Sequence, residues 1–284
     1  MQIEHKWDRL RSLLDEMGLA VLAYSGGVDS SLLLRAAAES LGPNLIAVTA
    51  VSATYPPDEI QHARAFAASL GVRHRIITSR ELEHDGFASN GPDRCYHCKR
   101  ELFGELRRIA EAEGMTALLD GSNRDDQRDH RPGTQAAREF SVRSPLIEAD
   151  LGKQEVRDLA RKLGLPMWDK PSLACLSSRI PYGTRITTDL LARVHAAEEA
   201  VRSTGVRQVR VRHHGDTARI EVAADDLERL ISGTTRDRIA RSIKALGYTY
   251  VCLDLEGYRT GSMNEVLDPG QLHLAGGDSL RDKR

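Results

Sequence analysis

Short apolar runs alternate with helix-length segments along the first half of the chain, and this alternation limits the folds open to it. Strands are predicted at residues 19–24, 45–51, 74–78 and 116–120. Helices are predicted at residues 4–17, 29–41, 57–70, 98–113 and 153–163. Strands and helices that alternate in this way form parallel sheets joined by right-handed crossovers. The predicted fold class is therefore α/β, with a doubly wound parallel sheet covered by helices on both faces.

The sequence pattern changes after residue 168. Residues 169–188 are rich in Pro, Ser, Gly and Arg and lack helical periodicity, which predicts a long ordered loop between two domains. A helix at 189–202 and strands at 208–213, 218–222 and 248–253 then predict a second, smaller α/β domain. We expect a first domain at 1–168, the inter-domain loop at 169–188, the small domain at 189–263 and a disordered tail at 264–284.

Charge and hydropathy exclude several classes of partner. The chain holds 40 Lys and Arg against 41 Asp and Glu, so no overall positive field attracts nucleic acid. Residues 1–11 lack the long apolar stretch of a signal peptide, and no apolar run approaches the roughly 18 to 20 residues that cross a bilayer. We therefore expect a cytoplasmic protein without a membrane or nucleic-acid partner, whose ligands are small molecules.

The strongest motif is the hexapeptide Ser25-Gly26-Gly27-Val28-Asp29-Ser30, between the first predicted strand and a helix. Its two glycines let the backbone approach a ligand closely, and the amides at a helix N-terminus bind anions such as pyrophosphate. It matches neither the kinase-type phosphate loop nor the dinucleotide fingerprint. A glycine turn with Asp29 as helix cap is the structural alternative. The hexapeptide resembles the PP-loop of ATP pyrophosphatases, which implies Ser25, Gly26, Gly27 and Ser30 on the pyrophosphate of ATP, with Asp29 near Mg²⁺ or capping the helix.

A second polar motif follows the fourth predicted strand, as Asp120-Gly121-Ser122-Asn123-Arg124-Asp125-Asp126. Ligands of open α/β sheets bind at the carboxyl ends of the strands, so this motif faces the same edge as the hexapeptide. Gly121, Asn123 and Asp125 are the candidate nucleotide contacts, and a polar turn with an Asx cap is the structural alternative. Residues 129–133 follow directly and are expected to close the site.

Three cysteines point to sulfur chemistry. Cys95 and Cys98 form a Cys-x-x-Cys pair at a predicted helix start, where we expect lowered thiol pKa values and metal or redox chemistry. Cys175 stands in the inter-domain loop near Arg179, whose charge favours a reactive thiolate. If the three thiols meet, they suit a [4Fe-4S] cluster; structural zinc and a redox dithiol are the alternatives. The fourth cysteine, Cys252, lies in an apolar run and is predicted to be buried in the core.

Several motifs occur in order along nearly the whole chain: the hexapeptide, residues 129–133, PSLACLSSRIPYGT at 171–184, and Val209-Arg210-Val211-Arg212. Together they resemble the LarE family of ATP-dependent sulfur transferases of nickel-pincer nucleotide biosynthesis. The resemblance implies adenylation of a carboxylate of pyridinium-3,5-biscarboxylic acid mononucleotide, attack by sulfur, and loss of AMP to leave a thiocarboxylate. It also implies homo-oligomers, hexamers in particular, with the small domain binding substrate and joining the subunits.

The same resemblance implies roles for individual residues. In members with the loop cysteine alone, the residue that matches Cys175 gives up its own sulfur and becomes dehydroalanine. Members with all three cysteines resemble a cluster type, so we favour sulfur carried on a [4Fe-4S] cluster and supplied by a separate sulfur donor. Arg210 and Arg212 are expected to bind the substrate phosphate, and two arginines two apart on a strand do project to one face. Glu198 and Glu221 are implied at a nearby metal site.

Other functions remain compatible with the motifs. A tRNA thiolation enzyme would keep the same ATP loop and the Cys-x-x-Cys pair, but it needs an RNA-binding surface that the near-zero net charge does not favour. An amide-forming ligase of the PP-loop superfamily would use ammonia and no cysteine sulfur. A non-enzymatic nucleotide sensor with structural zinc is a third reading.

Overall fold

A computed structural model describes residues 2–55, 57–128, 132–171, 174–259 and 261–267. The strands are β1 (Ala20–Ala23), β2 (Leu45–Val51), β3 (Arg73–Thr78), β4 (Ala117–Leu119), β5 (Val209–His214), β6 (Thr217–Val222) and β7 (Tyr250–Leu253). The helices are α1 (Gln2–Met17), α2 (Val28–Leu41), α3 (Pro57–Ser69), α4 (Asp85–Ala88), α5 (Arg94–Glu113), α6 (Gly133–Glu139), α7 (Pro145–Glu148), α8 (Lys153–Lys162), α9 (Thr188–Arg202), α10 (Leu227–Ile231) and α11 (Gly233–Ala245).

The first four strands form one sheet in the order β3-β2-β1-β4, and every pairing in it is parallel. The chain moves outward from β1 to β2 and β3 and then returns to the other side of β1 with β4. This reversal makes the β1 and β4 ends the switch point where open α/β sheets bind ligands. The predicted α/β class with a parallel sheet is confirmed.

Each strand of this sheet sends alternate side chains to opposite faces, because side chains along a strand alternate with a period of two. Ala20 and Leu22 of β1 join a core with α1, α2 and α8, whereas Val21 joins a second core that includes Phe103 and Leu106 of α5. All three β1 side chains are fully buried. Helices therefore cover both faces, which holds the carboxyl edge of the sheet in a fixed geometry.

A second sheet has the order β5-β6-β7, in which β5 and β6 are antiparallel and β6 and β7 are parallel. Its apolar side chains form a separate core with α9 and α11. Cys252 lies on the edge strand β7 and is exposed, so its predicted burial is wrong. Its neighbours Val251 and Leu253 point to the core instead, since adjacent residues of a strand face opposite ways. The domain boundaries given above stay predictions.

Residues 169–187, called the Cys175 segment below, contain one 3₁₀ turn at Leu176–Arg179 and are otherwise irregular in their described part. Residues 172 and 173 lie outside the described residues, as does the predicted tail from residue 268 onward. The segment has an apolar core of its own, where Leu176, Ile180 and Ile186 pack with Phe87 and Leu191. This core joins the segment to the region just before α5 and to α9. In the described part of the chain, no helix is long and apolar enough to cross a membrane.

Candidate active site

The hexapeptide forms a tight turn between β1 and α2. Gly26 has φ +71°, a conformation that other residues rarely adopt, and a side chain there would meet Ala63 Cβ at 3.2 Å. The Ser25 and Ser30 hydroxyl oxygens lie 3.0 Å apart, and the Ser30 hydroxyl donates to the Gly27 carbonyl at 3.2 Å. Gly27 is the N-cap residue of α2, so Asp29 lies within the first turn and does not cap the helix. The positive end of α2 thus opens directly onto the glycine turn.

Asp29 is held in a mainly buried position at this edge. Asn123 donates its side-chain N–H to Asp29 Oδ1 at 3.3 Å, which joins the β4 motif to the hexapeptide. Burial raises the pKa of Asp29, and the negative charge of Asp126 raises it further. Two neighbouring carboxylates beside an anion-binding turn are a suitable environment for a divalent cation.

The β4 motif approaches the hexapeptide most closely at Gly121. A Cβ atom added there would lie 2.9 Å from Ser30 Cα and 3.0 Å from Ser30 N, closer than backbone atoms tolerate. Asp125 has a different role in this turn. Its Oδ2 accepts the Lys153 amide at 2.7 Å, which gives a free main-chain N–H at the start of α8 a hydrogen-bond partner. Gly121 and Asn123 therefore contact the hexapeptide directly, while Asp125 supports the turn from behind.

We expect Gly121→Ala to displace the start of α2 and to weaken nucleotide binding. A shift of about 1 Å in a phosphate cradle costs on the order of 100-fold in the rate of the step that it supports. The measurement is ATP affinity by calorimetry, together with the rate of pyrophosphate release. Gly233→Ala is the matched control, since nothing lies within 4 Å of the position of its added methyl group. Unchanged ATP binding by Gly121→Ala would exclude this edge as the nucleotide site.

Two cysteines lie in the first turns of α5, and the third lies on the segment between the sheets. The Cys98 thiol donates to Glu81 Oε2 at 3.5 Å. Burial raises the pKa of Cys98 well above its ordinary value, and the negative charges of Glu81 and Cys175 add to this effect. The expected lowering of this thiol pKa is therefore wrong, because burial and a buried carboxylate outweigh the helix N-terminus. Cys95 and Cys175 are exposed.

The Cys175 segment is bound to the residues that follow β2. The Leu176 amide donates to the Thr54 carbonyl at 3.1 Å, directly beside Cys175. The next residue, Tyr55, donates its hydroxyl to the Ser25 carbonyl of the hexapeptide. One short stretch after β2 therefore contacts both the thiol-bearing segment and the glycine turn.

Cys95 opens on a cavity of about 560 Å³ that reaches the end of β4. Asp120 and Ser122 line one side of this cavity, and Lys99 and Arg138 lie on the helical side. The cavity connects the Cys-x-x-Cys helix to the same sheet edge as the hexapeptide. Cys95 therefore approaches the nucleotide edge from α5, and Cys175 approaches it from the segment that is bonded to Thr54.

Arg179, Arg210 and Arg212 form a buried arginine cluster with Glu198 and Glu221, and each of the five is at most 5% exposed. Glu198 accepts from Arg179 Nε at 2.7 Å and from Arg179 Nη2 at 3.2 Å. Glu221 Oε2 accepts from Arg212 at 2.6 Å. Three guanidinium groups against two carboxylates leave an excess of positive charge in this cluster.

Arg210 and Arg212 lie two apart on β5, as predicted, and both are buried rather than solvent-facing. Burial lowers the pKa of Arg210 to about 10, and the charge of Arg179 contributes. The Arg210 guanidinium also lies over the Tyr258 ring, 5.4 Å from its centroid. Crowded cations of this kind are stabilised by an incoming anion. Arg179 also donates to the Cys175 carbonyl at 3.0 Å, which joins the cluster to the sulfur-bearing segment.

Some of the predicted site residues lie outside the described part of the chain, and the sequence analysis did not predict two buried residues of the site. Residues 129–131 lie outside the described part of the chain, while Pro132 precedes α6 and Gly133 begins it. Sequence reasoning missed Glu81 and Asn90, which are buried and hold the cysteine-bearing segments. No local pattern singles them out, since their partners are distant in sequence. The carboxylates of Glu198 and Glu221, expected at a metal, bind arginines in this structure.

Comparisons with known proteins match both the hexapeptide region and the whole chain. A family model described as asparagine synthase matches residues 20–111. An uncharacterized protein of Synechocystis sp. is 43% identical over 93% of this chain and 99% of its own length. A tRNA-specific 2-thiouridylase of Bradyrhizobium sp. is 30% identical, over 53% of this chain and 47% of its own length.

A more informative relative is the pyridinium-3,5-bisthiocarboxylic acid mononucleotide synthase of Lactiplantibacillus plantarum. It is 40% identical over 264 residues, which are 93% of this chain and 95% of that synthase. A match of this extent takes in both sheets and the segment between them. The chain therefore belongs to the LarE family.

Proposed function

We propose that this protein is an ATP-dependent sulfurtransferase that acts on pyridinium-3,5-biscarboxylic acid mononucleotide. It adenylates a carboxylate of this substrate and then replaces the activated oxygen with sulfur, releasing pyrophosphate and AMP. The Lactiplantibacillus plantarum relative is a bisthiocarboxylic acid mononucleotide synthase, which supports this product class. The observation that carries the proposal is the bonding of the Cys175 segment to Thr54, whose neighbour Tyr55 bonds to Ser25 of the glycine turn.

The first step takes place at the glycine turn. The amides at the start of α2, with Ser25 and Ser30, hold the phosphates of ATP. The substrate carboxylate attacks the α-phosphorus, the bond from that phosphorus to pyrophosphate breaks, and the electron pair leaves with pyrophosphate. Asp29 and Asp126 would hold Mg²⁺, which neutralises the charge that builds up on the phosphate oxygens. The raised pKa of Asp29 supports this assignment, because a cation relieves the repulsion between the two carboxylates.

The second step delivers sulfur to the acyl adenylate, and the chain offers two routes. In the first, the Cys175 thiolate attacks the acyl carbon and AMP leaves, which forms a thioester. Loss of the Cys175 Cα proton then breaks the Cβ–S bond, so that the substrate keeps the sulfur as a thiocarboxylate and the residue becomes dehydroalanine. This route uses each protein molecule once.

The second route keeps Cys175 intact, and we favour it because the chain has all three cysteines. Cys95, Cys98 and Cys175 would hold a [4Fe-4S] cluster, which supplies an iron with a free position for a small sulfur species. Cys175 and Cys95 both lie near enough to Cys98 for their charges to act on it, which supports this set of three donors. In the described part of the chain, no group of three His, Cys, Asp or Glu side chains is arranged to hold a metal ion. The three cysteines therefore match the cluster in the chemistry of their thiolates. A separate sulfur donor would reload the protein.

The substrate phosphate would bind at the buried arginine cluster. Together with Arg179, Arg210 and Arg212 carry more positive charge than Glu198 and Glu221 neutralise, and a phosphate monoester fits a guanidinium fork. Glu198 and Glu221 hold these arginines in position in the absence of substrate. Their role as metal ligands, and the homo-oligomer or hexamer that the family resemblance implies, stay predictions. Sedimentation of the purified protein measures the oligomer directly.

Single-turnover analysis tests the proposed function. Anaerobically prepared protein, mixed with ATP, Mg²⁺ and the biscarboxylate mononucleotide, is expected to release AMP and pyrophosphate and to form a thiocarboxylate seen by mass spectrometry. A loss of about 34 Da from the protein, the mass of H₂S, identifies cysteine sacrifice. Bound iron and sulfide with an unchanged protein mass identify the cluster route. Failure to release AMP with this substrate, together with thiolation of tRNA, would refute the proposal.

A further inference from the structure

Asn90 is a fully buried residue just before α5, and it lies between the two segments that carry the cysteines. Its φ of 60° is in the left-handed region, which asparagine and glycine adopt more readily than other residues. A buried carboxamide must have its donors and acceptor satisfied within the protein. The partners of Asn90 therefore show which parts of the chain it holds together.

The Asn90 side chain donates to three carbonyl groups of the Cys175 segment. Its Nδ2 lies 3.2 Å from the Ile180 oxygen, 2.8 Å from the Pro181 oxygen and 3.1 Å from the Thr184 oxygen. The main chain adds to this attachment, because the Asn90 carbonyl accepts the Gly183 amide at 3.0 Å. One residue thus binds the loop that directly follows the 3₁₀ turn after Cys175.

The acceptor of the same carboxamide reaches the Cys-x-x-Cys helix. Asn90 Oδ1 accepts from Arg94 Nη1 at 2.6 Å, and Arg94 is the residue next to Cys95 in the first turn of α5. The Arg94 guanidinium also lies over the Tyr182 ring, 4.6 Å from its centroid. The side-chain N–H groups of Asn90 therefore bind the Cys175 segment, and its side-chain oxygen binds the start of the helix that carries Cys95 and Cys98.

We propose that Asn90 is the positioning residue that sets the Cys175 segment against Cys95 and Cys98 for sulfur transfer. This inference rests on the proposed function, since it names the residue that aligns the sulfurs which that function uses. Asn90 touches none of the hexapeptide residues among its contacts, so adenylation does not depend on it directly. Removal of the Asn90 side chain is therefore expected to slow sulfur transfer without slowing adenylation.

The test compares Asn90→Gly with a control that contacts the same loop. Glycine keeps the left-handed backbone and removes only the side chain. Asn264→Ala is the control, because Asn264 Oδ1 accepts the Tyr182 hydroxyl at 3.0 Å without reaching the Cys95 helix. Two quantities are measured on the full-length protein: intrachain cross-linking of Cys175 to Cys95 or Cys98 by dibromobimane, located by peptide mass, and thiocarboxylate formed per pyrophosphate released.

In Asn90→Gly we expect cross-linking and thiocarboxylate per pyrophosphate to fall by on the order of tenfold or more, because the sulfurs are misplaced. The rate of pyrophosphate release, which reports adenylation, stays within about threefold of wild type, and Asn264→Ala matches wild type in both quantities. Wild-type cross-linking and coupling in Asn90→Gly would overturn the proposal. An equal loss of pyrophosphate release and thiocarboxylate would also overturn it, since that indicates a purely structural role.

Two further outcomes are decided by the same measurements. If wild-type protein forms no thiocarboxylate, the proposed function fails, and the cross-linking yield alone decides the role of Asn90. If Asn90→Gly does not fold, as judged by its circular dichroism, Arg94→Lys replaces it. This variant keeps the charge but loses the guanidinium contact to Asn90 and Tyr182, and the same loss or retention of cross-linking supports or overturns the proposal.

Discussion

Cys175→Ala is expected to form no detectable thiocarboxylate while it still converts ATP and substrate to pyrophosphate and the acyl adenylate. The variant keeps the hexapeptide and the Leu176 to Thr54 bond, so the adenylate forms as before. It lacks the thiol that either attacks the acyl carbon or holds the sulfur-bearing cluster. The measurement is simultaneous quantification of pyrophosphate and thiocarboxylate by chromatography and mass spectrometry.

The matched control for this variant is Cys252→Ala. Cys252 is also exposed, but it lies on the edge strand β7 of the second sheet. We expect wild-type amounts of both products from it. Full thiocarboxylate formation by Cys175→Ala would contradict the role of Cys175 in sulfur delivery.

The second large effect concerns stability. Glu198→Ala is expected to lower the free energy of unfolding by about 3 to 5 kcal/mol, because it leaves Arg179 buried without its carboxylate partner. Glu198 also accepts the Val211 amide at 3.2 Å, so the alanine variant leaves a buried main-chain donor unsatisfied as well. Equilibrium denaturation in urea measures the change.

The adjacent residue provides the control. Glu199 is about 50% exposed and pairs with Arg202 at the surface of α9, so Glu199→Ala is expected to cost less than about 1 kcal/mol. If Glu198→Ala and Glu199→Ala lower the free energy of unfolding by the same small amount, the ion pair of Glu198 with Arg179 does not stabilise the fold as described above.

Glu198 also gives the stability a pH dependence with a defined sign. Burial raises the pKa of Glu198, but the charge and hydrogen bonds of Arg179 lower it by more, so that it lies below its ordinary value. A carboxyl group with a lowered pKa stabilises the folded state fully above its unfolded pKa of about 4.3, and this contribution is lost as the pH falls through the folded value. In Glu198→Gln this part of the acid sensitivity is expected to disappear.

The parallel sheet could be predicted from sequence because β1 and β2 are buried on both faces over most of their length and appear as apolar runs. The predicted boundaries of β1 and β2 agree with the structure within two residues. The helices α4, α6 and α7 were not predicted, because each spans seven residues or fewer and shows little periodicity. Tertiary contacts, rather than local pattern, determine such short helices.

The candidate site could be predicted where its functional residues lie close together in one sequence motif. The hexapeptide and the Cys-x-x-Cys pair could be identified in this way. The raised pKa of Cys98 could not, because it depends on burial and on Glu81, which lies on a different element. The same reason applies to Arg210 and Arg212, whose spacing is visible in the sequence but whose burial with Glu198 is not.

The buried environment of Cys98 affects the order in which the cysteines of this protein are oxidised. In protein without a bound cluster, burial and the Glu81 carboxylate raise the pKa of Cys98, so this thiol is a poor nucleophile and oxidises slowly. Cys95 and Cys175 are exposed to solvent. Peroxide is therefore expected to convert these two to sulfenic acids first, and a reductant added during purification mainly preserves the sulfurs at the nucleotide edge.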